Sequence, residues 1–347
     1  LEVAPDRFSN RWNFFMPKIE ALADFSELSP ERVIQLVEQA LGRPASNLCR
    51  PLGSYINRVY DVQMDDGSWV VPKFYRPGRW SRAALQDEQD FLAELSEAEI
   101  PVVAPMVGVN GQLLHEKHGL TFAVYPKKGG RALEEPTPEQ WKELGRLLAR
   151  LHSVGEQRQP RDRVRLHPET SSCQHLDLIL ESDFPSDRVR DDYADVADDL
   201  IERIAPLFDD LPTTRLHGDC HRANIMGRPG EPFFLIDFDD MCLGPPVQDL
   251  WMMLPGHLRD SRVELNLLLE GYETFRPFDY ATLRLVEPLR AMRIIHYTAW
   301  CARQKLDGGF ARVAPDWGTA AFWRQETADL HRQRQEIEDA LAGAGSQ

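Results

Sequence analysis

Between Arg215 and Asp240 the chain reads RLHGDCHRANIMGRPGEPFFLIDFDD, two short apolar runs set among carboxylates, imidazoles and one side-chain amide. Asp219 and Asn224 lie five positions apart, and Asp237 and Asp239 follow directly on FFLI. Three arrangements accommodate such a set: a magnesium site for phosphoryl transfer, a histidine-based transition-metal site, or a polar hairpin without chemistry. His217 and His221 have the spacing that puts two imidazoles on one helix face. Gly218 between them is a poor helix residue, however, and no glutamate stands beside His217 as a zinc peptidase requires. Hydrogen-bonded loop histidines are the simpler interpretation.

The magnesium interpretation accounts for more of the stretch. Mg²⁺ takes oxygen ligands, commonly one or two from protein side chains, and completes its octahedron with phosphate oxygens and water. Asn224 and Asp237 supply that sparse set if GRPGEP, Gly227 to Pro232, turns the chain so that NIM and FFLI pair as a hairpin. Asp219 then stands apart from the cation, free to accept a proton from an incoming hydroxyl.

The surrounding pattern predicts the elements that hold these residues. SPERVIQLVEQALG reads as a helix capped by Ser29, opened by Pro30 and stopped by Gly42. SYINRVYDVQM and SWVVPKFY form a hairpin around Asp65 to Gly67. SRAALQDEQDFLAELSEA returns to helical spacing with Glu88 near its middle, and GLTFAVYP is a further strand ended by Pro126. KKGGR reads as a linker, so residues 1–126 are expected to form one lobe and 127–347 another. Beyond it, TPEQWKELGRLLARLHSVG opens with a Thr137–Gln140 capping box, and four helical patterns follow from Val247 onward. A small strand-rich lobe on a larger helical one leaves a cleft between them, a favoured ligand site.

HGDCHRANI followed by LIDFDD resembles the catalytic segment of the aminoglycoside phosphotransferase and choline kinase group, relatives of the eukaryotic protein kinases. SYINRVY, KFYRPGRW, FAVYP, GPPVQDLWMML and EPLRAMR narrow the resemblance to the bacterial stress response kinase A subgroup, over Leu52 to Gln325. The resemblance implies an α+β, bilobal protein-kinase-like fold with a small antiparallel sheet in its N-terminal lobe. It implies Asp219 as catalytic base, Asn224 and Asp237 as magnesium ligands, and Asp239 just behind them. Lys73 would hold the α- and β-phosphates of ATP and Glu88 would pair with Lys73. Ser54 in PLGSYINRVY would cover the phosphates in place of a glycine-rich loop, and Asp249 would brace the catalytic loop. No G-x-x-x-x-G-K-[ST] is present, which excludes a P-loop enzyme. Cys220 is expected to be a passive neighbour of the base.

Two features bear on the acceptor. Gly218 stands where regulated protein kinases carry arginine, and about a dozen residues separate Asp237 from the next helical pattern, too few for a phosphate-gated activation loop. Small-molecule kinases of the aminoglycoside, choline or homoserine type are typically not gated in this way. The subgroup resemblance implies instead a serine/threonine protein acceptor in stress response, and we follow it. A catalytically silent nucleotide-binding protein is the third alternative, and the retention of Lys73, Glu88, Asp219, Asn224 and Asp237 speaks against it.

The formal net charge of −15 argues against general affinity for nucleic acid or anionic membrane. No apolar run approaches a membrane span, and LEVAPDRFSNRW carries no basic-then-apolar signal pattern. Five scattered cysteines without a CxxC pair fit reduced thiols in a cytoplasmic protein, expected to be a monomer. Pro72 directly precedes Lys73 and removes a donor from a sheet strand. Either strand pairing should lapse there or the Pro72 nitrogen should face solvent, with Lys73 still in the cleft within reach of Glu88.

Overall fold

The computed structural model of the chain describes residues 25, 28–54, 56–182, 187–304 and 315–344. Helix α1 (Pro30–Leu41) starts where the Ser29 hydroxyl accepts the Arg32 N–H, and ends at Gly42 in the left-handed conformation. Strands β1 (Ala45–Leu52), β2 (Arg58–Met64), β3 (Trp69–Phe74), β4 (His115–Lys117) and β5 (Leu120–Pro126) form an antiparallel sheet in the order β1-β2-β3-β5-β4. Alternation along β3 sorts its side chains between two faces. Val70 and Phe74 pack under α1 with Val62, Phe122 and Val124, whereas Val71 and Tyr75 join the larger core shared with helix α2 (Arg82–Glu97).

Pro72 lies in the middle strand of this sheet, not at an edge. Pairing of β3 with β2 runs through Phe74–Arg58 and Lys73–Val59, lapses opposite Pro72 and Val71, and resumes at Val70–Val62. On the other side β3 pairs with β5 without a break, Pro72 opposite Val124. The Tyr75 N–H donates to the Thr121 carbonyl at 2.9 Å, so odd-numbered amides of this strand face β5 and the Pro72 nitrogen faces β2. The expected lapse in pairing is where a missing donor would produce it.

The capping box opens helix α3 (Pro138–Gly155), with Thr137 and Gln140 bonded reciprocally. A single turn of π-helix at Pro168–Ser172 leads into α4 (Cys173–Glu181), followed by α5 (Asp187–Ile204). The motifs and apolar spacing described above predict none of these three. Short strands β7 (Thr214–Leu216) and β10 (Cys242–Gly244) pair antiparallel, as do β8 (Ile225–Gly227) and β9 (Phe234–Leu235), with β6 (Arg131–Ala132) beside β8. Helices α6 (Val247–Trp251), α7 (Arg262–Tyr272), α8 (Val286–Gln304) and α9 (Ala320–Ala344) complete the larger lobe. VQDLWMML is thus only partly helical, since α6 ends at Trp251. No described helix is long and apolar enough to cross a membrane. The fold is α+β and protein-kinase-like.

Candidate active site

Strands β7 and β10 bring the loop from His217 to Asn224 beside the segment from Asp237 to Met241, because Leu216 pairs with Cys242. Asp249, buried at the start of α6, accepts the backbone N–H groups of His217 (2.8 Å) and Gly218 (2.9 Å), while its Oδ2 lies 3.1 Å from His152 Nε2. Gln248 Nε2 donates to the Gly218 carbonyl at 3.1 Å. Gly218 has φ of 84°, and a β-carbon there would run into the Asp240 carbonyl, so no larger side chain fits before Asp219. His217 accepts the Asp219 N–H at Nδ1 (3.3 Å), which leaves Nε2–H to donate to the Ile236 carbonyl at 2.9 Å. One imidazole nitrogen of His217 thus braces the loop internally, and the other ties it to the residue that follows β9.

Asp219 projects from this braced loop with its side chain 17% exposed. Its Oδ1 lies 2.7 Å from Arg293 of α8, and its Oδ2 lies 3.4 Å from His221 Nε2. Burial alone would raise the carboxyl, but the His221 contact and the Arg293 charge hold it well below the usual aspartate range. The neighbouring Cys220 thiol is fully buried and pushed well up by that burial, as expected of a packed bystander.

The hairpin of β8 and β9 pairs Ile225 with Leu235, and the Ile236 N–H donates to the Asn224 carbonyl at 3.1 Å. Asn224 and Asp237 therefore flank its open end, as the spacing requires. The Asn224 Nδ2 donates to the Asp219 carbonyl at 2.9 Å, which commits the amide nitrogen and leaves Oδ1 to serve as a ligand. Asp237 has φ of 61°, unusual for a non-glycine residue, and its carboxylate is 52% exposed at the cleft. A neutral amide oxygen and an accessible carboxylate fit the hard-oxygen preference of a magnesium ion that keeps most of its shell for phosphate and water.

Lys73 reaches across the cleft to this end of the hairpin. Its Nζ lies 2.9 Å from Asp237 Oδ1 and also contacts Asp239 Oδ1. Burial would lower the amine, but Asp237 and Asp239 hold it well above the usual lysine range. The buried Asp239 additionally accepts from Asn57 Nδ2 at 2.6 Å and from Arg79 at 3.0 Å, and Arg79 donates to Asp240 at 2.7 Å. Burial opposes ionisation of Asp239, yet Lys73 and Arg79 bring it down to about 2.

The expected Lys73–Glu88 ion pair is absent. Glu88 Oε2 accepts instead from Arg163 at 2.8 Å, and Glu88 Oε1 accepts from the Tyr75 hydroxyl at 3.2 Å. Lys73 turns to Asp237 and Asp239 because two carboxylates outweigh one, and because Arg163 already neutralises Glu88 in the interior. Glu88 remains close enough to add to the negative field around Lys73. The arrangement thus brings together Lys73, Asn224, Asp237 and Asp239, with Asp219 on the adjoining loop and Glu88 behind. Ser54 lies in the β1–β2 connection, at the same end of the sheet as Lys73, since Leu52 pairs with Val59 and Val59 with Lys73. Arg79, Arg163, Arg293 and Asn57 were missed. Arg79 and Arg293 sit inside KFYRPGRW and EPLRAMR, which marked them without giving a role, whereas nothing in local spacing points to Arg163.

The chain matches the phosphotransferase enzyme family over residues 48–286. It is 36% identical over 317 residues to stress response kinase A of Escherichia coli (strain K12), covering 91% of this chain and 95% of that one. It is likewise 36% identical over 316 residues to the serine/threonine protein kinase RdoA of Salmonella typhimurium (strain LT2), covering 89% and 93% of the two chains. Among solved structures, an amicoumacin kinase complexed with AMP-PNP, Ca²⁺ and Ami superposes with a TM-score of 0.69 at 21% identity, covering 90% of this chain and 94% of that one. By sequence and fold together, the chain belongs to the phosphotransferase enzyme family, in its stress response kinase A group, and is an ATP-dependent phosphotransferase.

Proposed function

We propose that this phosphotransferase moves the γ-phosphoryl group of ATP to serine and threonine hydroxyls of proteins, with Asp219 as the base, in a cytoplasmic stress response. The observation that carries the chemistry is the convergence on one cleft of Lys73, Asp237 and Asn224 with a separately braced Asp219. The acceptor oxygen forms a bond to the γ-phosphorus, the bond to the β–γ bridging oxygen breaks, and ADP leaves with that electron pair. The hydroxyl proton passes to a carboxylate oxygen of Asp219. Lys73 supplies positive charge to the phosphates from the N-terminal lobe, and the Ser54 turn covers them from above. Asn224 and Asp237 would hold Mg²⁺, which when bound neutralises phosphate charge. The complex of the fold neighbour with AMP-PNP and Ca²⁺ supports a nucleotide with a divalent cation in this cleft.

The names of the relatives at 36% identity, stress response kinase A and serine/threonine protein kinase, support the protein acceptor. A small hydroxyl-bearing metabolite is the second reading, favoured by the short connection between Asp237 and α6, which leaves no room for a gated activation loop. Cytoplasmic residence is supported by the five cysteines, all free thiols. Incubation with labelled ATP and Mg²⁺, with and without a soluble protein extract, separates the two readings. Label in protein bands, on serine or threonine, is expected. Label confined to small metabolites would overturn the protein acceptor.

A further inference from the structure

Both oxygens of Asp219 are covered before any acceptor arrives: Oδ1 is buried 2.7 Å from Arg293, an ion pair without a hydrogen bond, and Oδ2 lies 3.4 Å from His221. An incoming hydroxyl has to take one of them over. The Arg293 side chain is 30% exposed, so it has both the access and the length to move to another partner. Its helix is unusual for this chain. Against a net charge of −15 overall, α8 carries Arg290, Arg293, His296 and Arg303 with a single acid, Glu287. Glu287 is buried and occupied by His257 and Gln333, and Arg290 donates to the Gly256 carbonyl. His296 contacts His175 at 3.2 Å, and burial together with the nearby arginines holds both imidazoles below their usual range, to about 3 for His296. These histidines are therefore neutral near pH 7, and the positive charge presented to Asp219 from α8 is that of arginine.

We propose that Arg293 selects the acceptor by binding an anionic group, a side-chain carboxylate or phosphate, next to the serine or threonine that is phosphorylated, and releases Asp219 as it does so. The proposal rests on the assignment of Asp219 as base to a protein hydroxyl. A guanidinium paired with a carboxylate leaves it readily only for another anion, with which it can form charge-assisted hydrogen bonds in a planar geometry. While it stays, Arg293 covers Asp219 Oδ1, a buried oxygen that accepts no other hydrogen bond. An acidic acceptor therefore draws away the group that covers Asp219 Oδ1. A cationic acceptor leaves that group in place and is repelled by it.

The test is a set of peptides identical except at the positions flanking one serine, which carry glutamate, phosphoserine, glutamine or lysine. Their kcat and KM are measured separately with wild type, Arg293→Lys and Arg293→Gln. Wild type is expected to prefer the glutamate or phosphoserine peptides over glutamine by about tenfold, the worth of one charge-assisted contact, with lysine poorer still. Arg293→Lys should keep part of that preference. Arg293→Gln should lose it. Should the glutamine variant fail to fold, the wild-type series and the lysine variant still decide. Peptides labelled without regard to flanking charge, or a preference that survives in Arg293→Gln, would overturn this inference alone. Label in a hydroxylated amine and in no peptide would overturn the protein-acceptor reading and this inference with it.

Discussion

Arg163 and Glu88 form an ion pair of 2.8 Å in which neither side chain is more than 1% exposed, at the place where the family resemblance puts Lys73. Arg163 also donates to the carbonyls of Ala84 at 2.7 Å and Asp239 at 2.5 Å. One side chain thus ties α2 to the segment that follows Asp237, and Lys73 pairs with Asp237 and Asp239 instead.

Arg163→Met should for that reason be strongly destabilising. Removing one partner strands Glu88 in the interior, a loss of about 3–5 kcal/mol for buried pairs. Lys73→Met should destabilise less, because Asp239 keeps Arg79 and Asn57, and should instead weaken ATP binding. Denaturant unfolding of both variants, with nucleotide titration of the second, checks the separation. A lysine variant as unstable as the arginine variant would contradict it.

Asp237→Ala should abolish Mg²⁺-dependent ATP binding, since the phosphates lose the charged ligand of the cation that bridges them. Asn224→Ala should weaken binding less, having removed a neutral oxygen, although it also removes the bond to the Asp219 carbonyl. Calorimetric titration with Mg-ATP measures both. Unchanged affinity in the aspartate variant would remove Asp237 from the metal site.

Asp239 gives the fold an acid-sensitive component. Its folded value of about 2 lies below the ordinary aspartate value of about 4, so the unfolded chain binds its proton first as pH falls. The stability it contributes is complete above that ordinary value and is lost as pH falls toward 2. Asp239→Asn should be less stable at neutral pH and should flatten the decline over that window. A variant whose unfolding free energy declines with the wild-type slope there would show that another carboxylate is responsible.

Much of this cleft is legible in the linear sequence because its parts are local. The spacing of Asp219, Asn224 and Asp237 encodes a loop and a hairpin, and the structure has both. Ser29, Gly42, Thr137 and Gln140 act within a few residues, so the helix ends they set are readable by eye. What escapes is long-range. Arg163 lies 75 residues from Glu88, in a stretch without helical or strand periodicity, and only the packed interior shows which cation neutralises that acid. Arg293 meets Asp219 for a similar reason, through the placement of α8 beside the loop from His217 to Asn224. The helical segments at Pro168–Ser172 and Cys173–Glu181 are not legible in the sequence, since a π turn interrupts the regular spacing of apolar residues.

Pro72 offers an independent check on the sheet. Valine there restores an N–H facing β2, opposite Tyr60, and one such hydrogen bond is worth about 1 kcal/mol. Loss of proline's restraint on the unfolded chain offsets about 0.4–1 kcal/mol of that. Pro72→Val should therefore raise the melting temperature slightly, and a clear fall would mean that the lapse in pairing has another cause.

Asp219→Asn tests the central claim most directly, with Mg-ATP affinity and phosphate transfer to a protein acceptor measured on the same preparation. The side chain stays isosteric, and the loop keeps its bonds to Asp249 and Gln248. ATP affinity should be unchanged while turnover falls by about 10²–10⁴-fold, the usual contribution of a general base. Turnover near that of the wild type, at unchanged ATP affinity, would contradict the account and remove Asp219 from the chemistry.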